Sequence, residues 1–488
     1  MALTVIQKPD QTKRLIPAYS DIIFVIGNGQ IAGNFRHKYV LKIYSNPVEG
    51  SDRYLNGNKL LATLKTPANS DGNGVFNIAK ILQDNVETGT RGISTTTHPS
   101  QTQWRSKFNG QDYDDAPHSI HQVDGFCGQR KMIRRFYVAY QEEFATTSTG
   151  AVTLSGTGTS PLYGVFNGVL QLEDGFEGFD YTPYILSSAA RKFMSTQPST
   201  YTRKWRSGDF GVISFLNGQF DSDTTNTSLN SQTRSIRLQF FNSSHALLNT
   251  IDYPINSSSL GGTASVGNTT AGLNTIIPRM YDSLFTYRNI NCIQSVGIGF
   301  NNIEIRNGVQ TGTSYYTIHA INSVGSQKSV KIKIQLTDED CKGLETIRLA
   351  YVNTLGTWDY FNFYKKSTRK SEIKRSYYRS NYGDYGGATT SQGYTQSSAE
   401  GGKRSFATNV EEVIEANTDF LTEVEVGFMK ELFISPQVYM QVGTATSVQF
   451  VPVCVEEKEY IKQTTANDML KQYIIEVRKG HKTRVQGL

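Results

Sequence analysis

Apolar and polar positions alternate over short stretches along most of the chain. Val330, Ile332, Ile334 and Leu336 interleave with Lys331, Lys333 and Gln335, the period of a strand with one buried and one wet face. Near the N-terminus, Ile22 to Ile26 run into Gly27, and a second apolar run follows from Lys38 to Tyr44. This reads as strand, glycine turn, strand. Further strands are predicted at Leu60 to Lys65, Arg134 to Phe144, Gly164 to Leu172, Phe210 to Leu216, Ile236 to Phe241 and Ile347 to Val352. Near the C-terminus they are predicted at Val438 to Val442, Ser447 to Val455 and Gln472 to Arg478.

Helical spacing shows in two places. Phe76, Ala79, Lys80, Leu82 and Gln83 suggest a short helix that Asn85 ends. A second begins at Thr422, whose hydroxyl can cap the first turn while Glu425 reaches back. It places Val424, Phe428, Met429 and Leu432 on one face and stops at Ser435, before Pro436. From Thr88 to Gln129 periodicity vanishes, so an excursion from the first domain is expected there.

The pattern predicts a mainly β protein of tandem β-sandwich-like domains with a small C-terminal α+β unit. Residues 1–218 form the first β domain with its excursion at 88–129, 219–340 the second, and 341–488 the α+β unit with a basic, Gly/Tyr-rich arm at 365–405. Composition agrees, because 27 Tyr, 25 Phe and 43 Gly against 19% charged residues favour strands and turns. No apolar run approaches a membrane span, and no basic segment with an apolar run opens the chain, so a chain made in a cytoplasm is expected. Cys127, Cys292, Cys341 and Cys454 form no metal or redox pair and are expected to be free, buried thiols.

Candidate chemistry is sparse. Gly27, Gly29 and Gly33 imitate a dinucleotide-binding turn, but Asn34 and Phe35 lead into a strand rather than a helix, so a hairpin turn is the reading. Asp112, Asp114, Asp115, His118, His121 and Asp124 crowd together in the excursion, where Pro117 opposes the helix that an H-x-x-H metal site would need. They read as a solvated loop. No nucleophile elbow appears, so no enzyme, catalytic residue, metal or cofactor is predicted. The strongest feature is basic: Lys365, Lys366, Arg369, Lys370, Lys374, Arg375 and Arg379 stand against Glu372 alone, and Tyr377, Tyr378, Tyr382 and Tyr385 follow. Such a block could track nucleic acid, yet an arm docking on an acidic neighbour in an assembly is the favoured reading. Trp358, Tyr360, Phe361 and Phe363 would bury large areas in a core or a subunit interface, with Gly356 turning the chain before them.

Two stretches carry a resemblance. Ile347-Arg348-Leu349-Ala350-Tyr351-Val352-Asn353-Thr354-Leu355-Gly356-Thr357-Trp358-Asp359-Tyr360-Phe361-Asn362-Phe363 is similar to a recurrent W-L-N-x-x-G-x-[FW]-D-x-[FY]-x-F block, although Ala350 and Tyr351 replace its bulky apolar pair. Leu421-Thr422-Glu423-Val424 running to Glu431-Leu432-Phe433-Ile434-Ser435-Pro436-Gln437-Val438-Tyr439 is similar to an L-x-E-L-x-x-S-P-x-V-Y helix and strand. Both resemble tail-associated virion structural proteins from phages of Bacteroidetes and of marine bacteria. The resemblance implies a virion location, a homo-oligomeric tail, ring or connector subunit and contacts with other virion proteins. The alternative is a receptor- or glycan-binding tail or fibre protein that contacts a host surface.

Overall fold

The computed structural model describes residues 3–9, 15–28, 34–45, 59–86, 126–128, 133–171, 180–216, 233, 235–254, 293–299, 305, 308–322, 324–337, 343–381, 383–386, 393–396, 401–443, 449–456 and 471–483. The protein is mainly β. Two α-helices stand among the described residues, Ala79–Gln83 (α1) and Glu423–Ile434 (α2).

The N-terminal part is a sandwich of two sheets. Thr4–Gln7, Ile23–Gly27 and Asn73–Asn77 make one. Leu15–Pro17, Tyr163–Phe166, Ile133–Ala145, Phe35–Ser45 and Lys59–Thr66 make the other, with Thr153–Thr159 added on Ile133–Ala145. Phe24 and Ile26 from the first sheet and Tyr39, Leu41, Ile43, Phe136, Val138 and Tyr163 from the second meet in one buried cluster, onto which Ala79 and Leu82 of α1 close.

This geometry corrects the hairpin reading of Gly27 to Gly33. The strands on either side of that segment belong to different sheets, because each must turn an apolar face toward the shared core from opposite layers. Residues 29–33 lie outside the described residues. A Cβ at Gly27 would lie 2.5 Å from Ile6 Cδ1, the end of an exposed side chain that would have to move aside. Asn28 then anchors the exit: its N–H donates to the Tyr39 hydroxyl at 3.0 Å, and its amide donates to both oxygens of the buried Glu142.

The middle of the molecule holds a five-stranded sheet, ordered Thr202–Trp205, Ile332–Leu336, Tyr315–Ile321, Ser235–Phe241, Leu247–Pro254. A three-stranded sheet of Val212–Leu216, Ile293–Gly297 and Phe126–Gly128 accompanies it. Strands on both sides of residue 218 share these sheets, and the end of the 88–129 segment supplies an edge strand through Phe126–Gly128. The alternation read in Ile332 and Ile334 is present, with both side chains in the core.

The C-terminal part is a seven-stranded antiparallel sheet in the order Trp358–Phe363, Ile347–Val352, Val438–Val442, Gln449–Val455, Ile474–Lys479, Gly402–Asn417, Ser367–Ser380. Helix α2 covers one face. Its N-terminus carries the capping box expected of Thr422 and Glu425, and Ser435 is its C-cap. Val426, Phe428, Met429 and Leu432 form its buried stripe. Val424, expected on that stripe, is 52% exposed: it sits at the edge of the stripe, in the first turn, and Val426 takes the inward position.

Candidate functional site

Two regions gather the residues singled out from the sequence. The first is the aromatic block. In Ile347–Val352 and Trp358–Phe363 every residue is buried, because one face packs under α2 and the other against the middle sheets. Ile347, Leu349, Tyr351, Phe361 and Phe363 pack under α2. Ala350, Val352, Trp358 and Tyr360 point the other way, into a cluster with Trp205, Phe215, Tyr316 and Ile334 of the middle sheets. Trp358, Tyr360, Phe361 and Phe363 thus form core between parts of one chain. Gly356 makes the turn that was read from the sequence. It has φ +71°, and its N–H donates to the Asn353 carbonyl.

Polar residues that the sequence did not single out lock this junction. Arg348 is 1% exposed and donates from Nε and Nη2 to the Phe210 carbonyl at 3.0 and 2.7 Å, and from Nη1 to Asn362 Oδ1 at 2.9 Å. Its guanidinium stacks 4.2 Å from the Trp205 ring and 4.7 Å from that of Tyr360, with the fully buried Asp209 carboxylate 3.6 Å away. Burial lowers the Arg348 pKa and Asp209 opposes that shift. A second buried carboxylate, Asp359, accepts from Ser195, from the Thr196 N–H and hydroxyl, and from Asn353. Both networks tie loops of the middle region to the Trp358–Phe363 strand. The only signal in the sequence is a charged or amide residue inside an apolar run.

The second region is the basic arm. In place of a flexible tract, Ser367–Ser380 pairs antiparallel with Gly402–Asn417 from Ser367 opposite Ala416 to Ser380 opposite Gly402. A bulge follows Ser376. Within the Gly/Tyr-rich part of the arm, Gly383–Gly386 pairs with Gly393–Gln396. The arm is therefore a β-ribbon, because Ile373, Tyr377, Tyr378, Phe406, Thr408 and Val410 carry strand preference that composition alone conceals. Gly402–Asn417 pairs on its other side with Ile474–Lys479 from Val413 to Asn417, and Thr483, past the end of that strand, bridges to Val410. Beyond Val410 the ribbon is two strands wide among the described residues, and Ile373, Tyr377, Tyr378 and Phe406 are exposed.

Charge divides along the ribbon. At its root, Arg369 pairs with Glu345 and Glu412, Lys370 with Glu415, and Lys365 with Asp419 at 3.3 Å. Arg478 pairs with Glu372, Glu411 and Glu456, and Lys479 with Glu412. Hydrogen bonding from Arg369 lowers the Glu345 pKa, and that from Lys479, with Arg369, lowers that of Glu412. The backbone carbonyl of Lys366 accepts from Asn417. Further out, Lys374, Arg375, Arg379 and Lys403 meet no carboxylate among the described residues, and Lys403 lies 4.0 Å above the Tyr377 ring.

The Asp/His cluster from Asp112 to Asp124 lies outside the described residues. Cys454 is free and exposed, a correction to the expectation of buried thiols: it falls on the open side of Gln449–Val455, whose other side packs Val453 under α2. Among the described residues no helix is long and apolar enough to cross a membrane, and no group of three or more His, Cys, Asp or Glu is placed to hold a metal. No protein-family model matches the chain, and no curated protein matches it.

Proposed function

We propose that this chain is a structural subunit of a bacteriophage particle, a tail, ring or connector component that assembles through its β domains and the ribbon arm. The observation that carries the reading is the ribbon itself. A two-stranded hairpin is marginal in water, yet this one extends past the sheet with Ile373, Tyr377, Tyr378 and Phe406 exposed among cations that pair with no carboxylate among the described residues. A surface of that kind gains stability by covering its apolar side chains and neutralising its charge on a neighbour. The tail-protein resemblance of residues 347–363 and 421–439 supports a virion as the setting.

The test keeps the sheet root and removes the tip. Arg375 stands opposite Thr408, so residues 376–407 can be replaced by Asn-Gly, a two-residue hairpin turn. The parent chain is expected to form a defined oligomer by light scattering. The trimmed chain is expected to remain folded by circular dichroism and to lose that oligomer. A parent that stays monomeric at every concentration, or a trimmed chain that assembles normally, refutes the reading. Binding of the monomeric parent to bacterial envelope material would replace it with a receptor-binding role.

A further inference from the structure

We propose that the arm's neighbour is a second copy of this chain, joined edge to edge through Ser367–Ser380 in an antiparallel register that sets Ile373 opposite Ile373. The inference rests on the assembly reading and names the partner and the contact. Ser367–Ser380 is the outermost strand of the seven-stranded sheet, and no strand among the described residues pairs with its outer edge, which carries a row of backbone N–H and C=O groups. Lysine on such an edge ordinarily guards against pairing. Here the charges are spaced to complement themselves.

A two-fold axis perpendicular to the sheet keeps each side chain on its own face, so only registers that pair like-facing residues are open. With Ile373 on the axis, Glu372 of each copy stands opposite Lys374 of the other, and Arg369 opposite Tyr377, while Ser371 meets Arg375 and Ser367 meets Arg379. No like charges face each other. Moving the axis one residue toward the N-terminus sets Glu372 against itself, Lys370 against Lys374 and Arg369 against Arg375. Moving it one residue the other way sets Lys374 against itself and Arg369 against Arg379. Like charges directly opposite are destabilising. Glu372 and Lys374 are exposed, and the bulge places its extra residue on the Gly402–Asn417 strand, which leaves the alternation of the outer strand unbroken.

The test is a charge swap in the full-length chain, read as mass against concentration by light scattering. Lys374→Glu places carboxylates opposite each other twice per dimer and is expected to weaken association roughly tenfold or more. Glu372→Lys combined with Lys374→Glu restores opposite charges and is expected to recover the dimer; Arg478 keeps Glu411 and Glu456 in that variant. In a Cys454→Ser background, Ile373→Cys is expected to yield a disulfide-linked dimer under mild oxidation. If Lys374→Glu leaves the mass unchanged, the edge pairing is overturned, and loss of the oligomer on trimming 376–407 would then leave the assembly reading standing. A parent that is monomeric throughout overturns both. An oligomer that nuclease treatment dissolves makes nucleic acid the partner and overturns the edge pairing.

Discussion

Removing the Arg348 guanidinium tests whether the buried polar network holds the middle sheets against the C-terminal sheet. Arg348→Ala deletes three hydrogen bonds, two to the Phe210 carbonyl and one to Asn362, together with the stacking on Trp205 and Tyr360. It also removes one of the two guanidinium partners of Asp209, whose side chain is 0% exposed, and leaves Arg206 Nη2 at 3.3 Å as the other. Breaking a buried ion pair from one side typically costs about 3–5 kcal/mol. Asp209 keeps the Arg206 guanidinium at 3.3 Å, the Arg206 backbone N–H at 2.9 Å and the Asn362 amide, which argues for the lower end, about 3 kcal/mol. Urea unfolding followed by tryptophan fluorescence suits the measurement, because Trp205 lines the site and Trp358 packs in the same cluster. Adding Asp209→Asn removes the buried carboxylate, which would then have Arg206 as its remaining guanidinium partner, and should recover about 1 kcal/mol relative to Arg348→Ala alone. A loss below about 1 kcal/mol for Arg348→Ala, or no coupling to Asp209→Asn, refutes the network as a structural lock.

Two further outcomes follow from single sites. Burial, with Lys331 and Arg237 nearby, lowers the pKa of His319 from 6.5 to about 4. The unfolded chain therefore takes up this proton first, so the contribution is present above pH 6.5 and is lost as pH falls toward about 4. Unfolding midpoints of His319→Gln should be flatter than the parent's between pH 6.5 and 4, by at most about 3 kcal/mol on the scale of 1.4 kcal/mol per unit; parallel curves refute the assignment. At Gly356 a Cβ would lie 1.9 Å from the Asn167 carbonyl oxygen on a backbone of φ +71°, so Gly356→Ala should lower the thermal midpoint markedly, and an unchanged midpoint refutes the close approach.

Local rules carried a good part of the fold. Val438–Val442 and Ile332–Leu336 were readable because side-chain direction in a strand repeats every two residues and depends on near neighbours. The limits of α2 were readable because Thr422, Glu425 and Pro436 act on the backbone within one turn. The mainly β class, the aromatic block and the basic segment all lay in the residues themselves.

Tertiary structure decided the rest, because the choice among partners that look alike locally is made by long-range contacts. Gly27 marks a turn in any reading, but only the shared core of Phe24, Ile26, Leu41 and Ile43 sends its two strands into opposite layers. Arg348 looks like any charge in an apolar run until Asp209 and Trp205, over a hundred residues away in the chain, close around it. The basic segment read as a flexible arm because its composition is polar. Pairing with Gly402–Asn417 makes it a ribbon, and its place at the edge of the sheet leaves one side of Ser367–Ser380 unpaired among the described residues.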